Sequence, residues 1–490
     1  MGPHFPKWLR TQESIALLDT IPDWFWDKYL NFVYFNISHN QIKGNLPNFS
    51  LSSRFIFATV DFSSNHLEGP LLSLPSSVFY VDLSGNKFSG PISFLCSVRV
   101  GVYHLDLSSN QLSGTLPDCW IKFEDLAFLN LANNGLSGTI PHSFGSLRNI
   151  LALSLSNNSF SGEFPFLRNC TRLTVIDLQK NALSGKIPDW IGESLPNLVI
   201  LSLQSNKFHG NIPFQLCRLV NIQILDLSSN NITGTIPKCV KNFTALSQER
   251  SSNASITNQL TPIVTTEGSF IVESVVCLWL TWKGGEYLYK NTLGLVKSFD
   301  LSVNKLDGVV PEEIMSLVGL IALNLSRNNF SGTIPPKIGQ LQLLDFLDLS
   351  RNQFSGEIPL SLSQINRLSV MDLSNNDLWG KIPTGTQLQS FNAAMYAGNP
   401  GLCGLPLPNK CPGEEPAQGP TTTKEDEFIT LGFYISLTLG FIAGFWGVCG
   451  TLVLSQSRRH AYFNFLANTR DRIYVATMIN FAKLKQWFNN

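Results

Sequence analysis

Charge is the scarcest ingredient of this 490-residue sequence: Asp, Glu, Lys and Arg make up 14% of it, 35 basic against 35 acidic residues. A chain with no net charge has no electrostatic footprint for nucleic acid, and none is expected as a partner. Histidine is equally thin, with 7 residues scattered singly. No His or second Cys pair stands at the spacing of a zinc site, and no nucleophile has a visible base beside it. Glu312-Glu313, an adjacent acidic pair, reads as the start of an outer turn. Neither an enzyme, a metal nor a cofactor is therefore expected. The first residues, Met1 to Arg10, lack the apolar run of a secretory signal and are broken early by prolines. The residues beyond Ser457 are too few for a kinase domain and hold neither a Gly-rich loop nor a His-Arg-Asp loop. What polarity there is comes largely from Ser, Asn and Gly, which suits an exposed, glycosylated surface better than a cytosolic enzyme.

What is present is a repeat. In Leu105-Asp-Leu-Ser-Ser-Asn-Gln-Leu-Ser-Gly-Thr-Leu-Pro117 the glycine lies four and the proline seven residues after the asparagine. The asparagine returns at positions 40, 65, 86, 110, 134, 158, 181, 206 and 230, then at 304, 328, 352 and 376, each time with glycine at plus four. Proline follows at plus seven except at Leu72 and Ser93. A period of about 24 residues is that of a leucine-rich repeat. The expected fold class is thus an α/β leucine-rich-repeat solenoid, with a parallel β-sheet on its concave face, joined to one transmembrane helix. Each Leu-x-Leu should form a short parallel strand with alternate side chains inward. Asparagine suits the turn because its side chain can bond backbone groups that the bend leaves unpaired, and glycine suits a turn that would strain other residues. These residues are structural. Function would sit on the strand positions between the leucines, expected to be exposed: Tyr103, His104, Asp106, Thr174, Asp177, Gln179 and Lys180, with Arg327 and Arg351 at one position of successive coils.

Cysteines and sequons place the repeats outside the cytosol. Cys96 and Cys119, like Cys217 and Cys239, stand one repeat apart, which puts them on adjacent coils. They fit either disulfides or small buried core residues. Cys403 and Cys411 form a local pair after the last repeat, favoured as a disulfide in an oxidising compartment. Candidate N-glycosylation sites are Asn36, Asn48, Asn157, Asn169, Asn231, Asn242, Asn253, Asn324 and Asn329.

Taken in order, residues 1–34 read as a degenerate, truncated first repeat and 35–245 as repeats. Residues 246–293 interrupt the period, with a polar first half read as flexible and a second half rich in Trp and Tyr that should pack on the solenoid or a partner. Repeats resume over 294–390, and 391–412 form a C-terminal cap. An acidic juxtamembrane linker (413–427) leads to an uncharged stretch, 428–457, long enough to span a bilayer. Arg458 and Arg459 follow at once, so the repeats are expected outside and the short basic tail, 458–490, in the cytoplasm. Gly440 and Gly444 are spaced for close helix packing, and Tyr462 to Phe465 has the tyrosine-x-x-bulky form read by endocytic adaptors.

These features together resemble a plant leucine-rich-repeat receptor-like protein, of the kinase-less group that includes the receptors for fungal ethylene-inducing xylanase. The resemblance is carried by the Leu-x-x-Asn-x-Leu-Ser-Gly-x-Ile-Pro repeats and by the insert segment from Leu280 to Val296. The cap Gly398-Asn-Pro-Gly-Leu-Cys-Gly404 and Gly444-Phe-Trp-Gly-Val-Cys-Gly450 add to it. It implies a single-pass plasma-membrane receptor that binds an extracellular protein, peptide or glycan ligand and signals in immunity or development through a receptor-kinase adaptor and co-receptor. The insert and the final repeats would contribute to binding, which makes Trp279, Trp282, Lys283, Tyr287 and Tyr289, with Arg327 and Arg351, the candidate ligand and co-receptor contacts. The family's signal peptide, paired-cysteine cap and many early repeats are missing, so the chain reads as N-terminally truncated. The alternatives are a passive leucine-rich-repeat binder that inhibits a microbial cell-wall enzyme, and a non-functional truncated receptor.

Overall fold

The computed structural model describes residues 21, 34–46, 58–74, 78–97, 101–249, 258–265, 268–275, 278–282, 285–289 and 296–412. The chain divides into two units, Met1–Cys411 and Pro412–Asn490, and the repeats lie in the first. The expected span (428–457) with Gly440 and Gly444, the tail with Tyr462 and Phe465, and Lys283, Asn48 and Asn253 lie outside the described residues. Among the described residues no helix is long and apolar enough to cross a membrane.

Each repeat forms one coil, and the coils stack through two sheets. The x-Leu-x portions, such as His104–Asp106, pair in parallel and in register: Leu105 lies between Val81 and Leu129. They build a 13-stranded sheet from Tyr34–Asn36 to Val370–Asp372. A second, 14-stranded parallel sheet follows the asparagines, with strands such as Gln111–Thr115. The repeat spacing predicted only the first.

The helical half of the expected α/β class shrinks to single turns. After the proline only a few residues remain before the next coil must begin, too few for several α-turns. Most coils therefore make a 3-10 turn such as His142–Ser146, in which the Phe144 N–H donates to the Pro141 carbonyl. Among the described residues the α-helices are Trp190–Ser194 and Thr386–Ser390, each 5 residues long.

The asparagine ties each coil to the one before it. Asn110 Nδ2 donates to the carbonyls of Leu107 and Ser108 in its own coil and of Leu83 in the preceding one, at 3.0–3.2 Å. Its Oδ1 accepts the Phe88 N–H at 3.0 Å. Four backbone groups at a bend are satisfied by one side chain. The residue just before it is left-handed in nearly every coil, with φ of 51–56° from His39 to Asn375; Gly85 takes that place once. That conformation costs a non-glycine residue about 1–2 kcal/mol. It aims the residue's N–H along the stack, as when Ser109 N–H donates to the Ala132 carbonyl at 2.8 Å. The next apolar position, exemplified by Phe88, Leu112, Leu136 and Phe160, is fully buried and runs through the whole core.

The stack continues across the insert. Ile224–Asp226 pairs directly with Ser298–Asp300. The chain departs at Leu246, still buried in the core, and returns at Val296. Lys297 Nζ then reaches the Gln248 carbonyl, so both ends of the excursion are held together. The insert holds two antiparallel hairpins, Asn258–Thr265 with Gly268–Val275 and Leu278–Trp282 with Gly285–Tyr289. The first replaces much of the half expected to be flexible.

The cap imitates one more coil. Asn399 occupies the asparagine place, donating to Leu373 and Tyr396 carbonyls and accepting the Leu378 N–H. Gly401–Cys403 adds the last strand of the second sheet. Tyr396 is buried with its hydroxyl on the Leu388 carbonyl at 2.6 Å, and Cys403 is bonded to Cys411.

Candidate functional site

Strand alternation turns one side of the first sheet to the core and leaves two columns of side chains on the outward side. In the first column Tyr80, His104 and Phe128 are register partners, followed by Ala152, Val175, Ile200 and Ile224. Tyr80 stacks on His104 with ring centroids 4.2 Å apart. His104 was expected to be exposed. It is buried, and burial drops its pKa to about 3, so it is a neutral spacer in an aromatic stack. Alternation tells which side a residue takes, not how tightly its neighbours close around it.

The second column is rich in carboxylates: Asp61, Asp82 and Asp106 are successive partners, as are Asp226 with Asp300 and Asp348 with Asp372. Each is answered from within the repeat. Asp226 Oδ1, for example, accepts from the Ser228 N–H at 3.0 Å and the Ser228 hydroxyl at 2.6 Å. Asn130, Ser154 and Asn324 stand between acids and donate to Asp106, Asp177 and Asp300. Burial first, then the neighbouring Asp300 charge, raises Asp226 to about 8; burial raises Asp300 to about 6. Asp177 and Gln179, also expected on the exposed face, are buried. Asp106 and Thr174 are half-buried. Among the described residues no acidic or His/Cys group is arranged to hold a metal.

Arg327 and Arg351 are exposed, but not on a strand: with half-buried Lys180 they occupy the left-handed turn position before the asparagine. They form a separate edge of the coil. In the insert hairpin Trp279 lies opposite Leu288, Leu280 opposite Tyr287, Leu278 opposite Tyr289 and Trp282 opposite Gly285.

The cysteine pairs Cys96–Cys119 and Cys217–Cys239 are disulfides between adjacent coils, with Cα atoms 5.6 and 5.7 Å apart. Cys170 is buried and reduced, and burial pushes its thiol up to about 12, which makes it inert. Of the sequons, Asn157, Asn169, Asn231, Asn242 and Asn329 are exposed, and so is Asn36, although its Nδ2 is engaged with Asp61. Asn324 is half-buried and donates to Asp300.

One feature went unseen in the sequence. At the amino-terminal edge of the first sheet a recess of about 290 Å³ opens beside Phe79 and Tyr103, with Leu151 in its floor and Asp125, Asn149 and Arg172 on its rim. Phe79 and Tyr103 stack with centroids 4.9 Å apart and planes 4° from parallel. Gly101, Asp125, Asn149 and Arg172 recur at one position of successive coils. That recurrence is the signal that could have grouped them with Tyr103.

Comparison with known proteins agrees with this architecture. The Leucine Rich Repeat family model matches residues 101–123, 125–147, 172–194, 221–243, 319–341 and 343–365. Receptor-like protein EIX2 of Solanum lycopersicum is 47% identical over 100% of this chain and 49% of its own length. The chain belongs to the plant leucine-rich-repeat receptor-like proteins. Receptor-like protein EIX1 of the same plant is 49% identical over 99% of the chain and 49% of its own length. The chain thus spans about half the length of the curated relatives it matches. Among solved structures, the Arabidopsis receptor kinase HAESA, in complex with the peptide hormone IDA and the co-receptor SERK1, superposes with a TM-score of 0.56 at 28% identity, covering 80% of this chain and 65% of that one. Neither the family nor the fold is enzymatic.

Proposed function

We propose that this chain is the membrane-proximal part of a cell-surface recognition receptor, which binds an extracellular ligand through its repeats and signals through partner receptor kinases. The observation that carries this reading is the reach of the similarity: the match to EIX2 covers 100% of the chain, and so takes in the uncharged stretch from Phe428 to Ser457 and the basic tail as well as the repeats. The HAESA complex, in which a receptor ectodomain is found with a peptide and a co-receptor, supports signalling through partner receptors. The same complex supports the ligand side, because a related solenoid there holds a peptide and a second receptor together. In this reading the uncharged stretch anchors the protein in the plasma membrane with its repeats outside, Gly440 and Gly444 pack against an adaptor, and Tyr462 to Phe465 governs internalisation. The insert aromatics and the Arg327–Arg351 edge would meet ligand or co-receptor.

The test is co-precipitation of the tagged full chain with receptor kinases from plant membranes. Recovery of a kinase, lost when Gly440 and Gly444 are both changed to Leu, is the expected result. If no receptor kinase is recovered under conditions in which HAESA and SERK1 stay associated, the reading fails.

A further inference from the structure

The recess at the edge of the first sheet has a chemistry that the repeat does not require. Its rim residues stand where the consensus is free to vary, and two of them, Asn149 and Arg172, are bonded to each other. Gly101 opens one end: nothing lies within 4 Å of where a Cβ would be, so no side chain fills the space that Asp125, Asn149 and Arg172 occupy on the next coils. Asn149 is fully engaged. Its Nδ2 donates to the Glu124 carbonyl at 2.9 Å and its Oδ1 accepts from Arg172 Nη1 at 3.0 Å. One guanidinium N–H is thereby engaged, and Arg172 itself is exposed, with further donors to offer. Two coils earlier along the same edge, Asp125 is exposed and makes no hydrogen bond or ion pair among the described residues. The floor is largely apolar: the stacked Phe79–Tyr103 pair with buried Ala127 and Leu151.

These groups select by complementarity. Asp125 only accepts and Arg172 only donates, so an occupant must offer both a donor and an acceptor. The rim carries one charge of each sign, so a simple anion meets Asp125 and a simple cation meets Arg172 without net gain. The floor asks for an apolar face. A volume near 290 Å³ is at the small end for ligand pockets and admits one ring rather than a folded segment. A sugar ring answers each condition: its hydroxyls both donate and accept, its C–H face is apolar, and it is neutral. We propose that this recess binds one ring of a neutral oligosaccharide. The proposal rests on the reading of the first sheet as part of the ligand-binding side, and not on any partner kinase.

The test uses the full chain in lipid nanodiscs, freed of its own N-glycans, and saturation-transfer NMR with cellohexaose, xylohexaose and chitohexaose. A zwitterionic tripeptide serves as competitor. At least one neutral sugar should bind, and Asp125→Ala and Arg172→Ala should each weaken it by about tenfold, as expected for loss of a charge-assisted hydrogen bond. Both residues are exposed, so folding should survive either change. Arg367→Ala, at the same repeat position of a distant coil, should leave binding unchanged. The assignment is overturned if no neutral sugar binds at roughly millimolar concentration, if binding is equal in all the variants, or if the tripeptide binds and displaces the sugar. Kinase co-precipitation from the same preparations separates failure of this proposal from failure of the receptor reading.

Discussion

The carboxamide of Asn304 joins two coils that the sequence holds far apart: its Oδ1 accepts the N–H of Ile232, 72 residues earlier, at 3.0 Å. Its Nδ2 donates to the Leu227 carbonyl at 2.9 Å and to Leu301 and Ser302 in its own coil. The insert therefore leaves from and returns to a stack already closed beneath it, and it can vary without disturbing the platform.

Asn304→Ala should accordingly cost more than an ordinary surface change. It strands one buried N–H and removes the donor to three carbonyls, and each unsatisfied buried group costs about 1–3 kcal/mol. Asn304→Asp keeps the acceptor but replaces the donor with an anion facing carbonyl oxygens. It should be at least as damaging as Ala despite its near-identical shape. Chemical denaturation measures both, and hydrogen exchange should localise the added opening to coils beside the insert. A neutral Asn304→Asp variant would contradict this account of the ladder.

Gly192 offers a case in which local propensity and packing disagree in sign. It lies in the short helix Trp190–Ser194, where alanine is favoured over glycine by about 1 kcal/mol. A Cβ at that place would run into the Gln215 carbonyl of the next coil, and backbone cannot swing aside as a side chain can. Gly192→Ala should therefore destabilise by about 1–3 kcal/mol or more. Gly135→Ala, whose Cβ would meet the Leu112 carbonyl at 3.2 Å, should cost less. Thermal unfolding of the two variants side by side decides it; a stabilised Gly192→Ala would mean the coils are looser than described.

The residues legible from the sequence are those for which the coil admits few substitutes. Asn110 serves four backbone groups at once, Gly114 has φ of 83°, and Leu105 faces the core, so residue type and place are bound together. The second sheet was not legible because a strand such as Gln111–Thr115 buries one leucine and has a left-handed glycine next to its last residue, leaving no alternation to read. Arg327 and Arg351 were rightly placed on successive coils but assigned to the strand, because the pattern does not mark where the strand gives way to the left-handed turn. His104, Asp177 and Gln179 show the other limit. A period of two assigns a side of the sheet, whereas burial depends on what packs there. Asp125, Asn149 and Arg172 vary freely in the repeat, so only their shared place around Tyr103 makes them a group.

Glycan occupancy should follow which asparagines the fold has already engaged. Asn324 is half-buried between coils, donating to Asp300 Oδ2 at 3.0 Å and accepting from the Ser326 N–H and hydroxyl. A glycan added there during synthesis would keep that coil from closing on its neighbour. Asn242 ends a 3-10 turn on the exposed side, and Asn169 is also exposed. In protein recovered folded from the cell surface, peptide mapping after enzymatic deglycosylation should find Asn169 and Asn242 modified and Asn324 bare. Substantial occupancy of Asn324 in folded protein would contradict the Asn324–Asp300 contact.

The acidic column should make the repeats more stable in acid than in base. Asp226 and Asp300 are buried register partners, raised from 3.8 to about 8 and about 6, by burial first; Asp300 adds to the shift of Asp226. Below about pH 4 both the folded and the unfolded chain hold these protons, and the contribution is fully present. As pH rises toward 8 the unfolded chain releases them first, so stability falls until the folded pair has ionised. While one proton separates the two states, each pH unit changes stability by about 1.4 kcal/mol. Asp61, Asp82 and Asp106 repeat the arrangement at the other end of the sheet, with Asp82 raised to about 8 by burial first and then by Asp106 and Asp61. The midpoint of thermal unfolding should thus climb as pH is lowered from 8 to 5, the reverse of the usual behaviour of paired carboxylates. Asp226→Asn, which keeps an acceptor for Ser228 and removes the titrating group, should flatten the dependence. A wild-type midpoint that is constant or falls over that range would show that these carboxylates ionise normally in the folded chain.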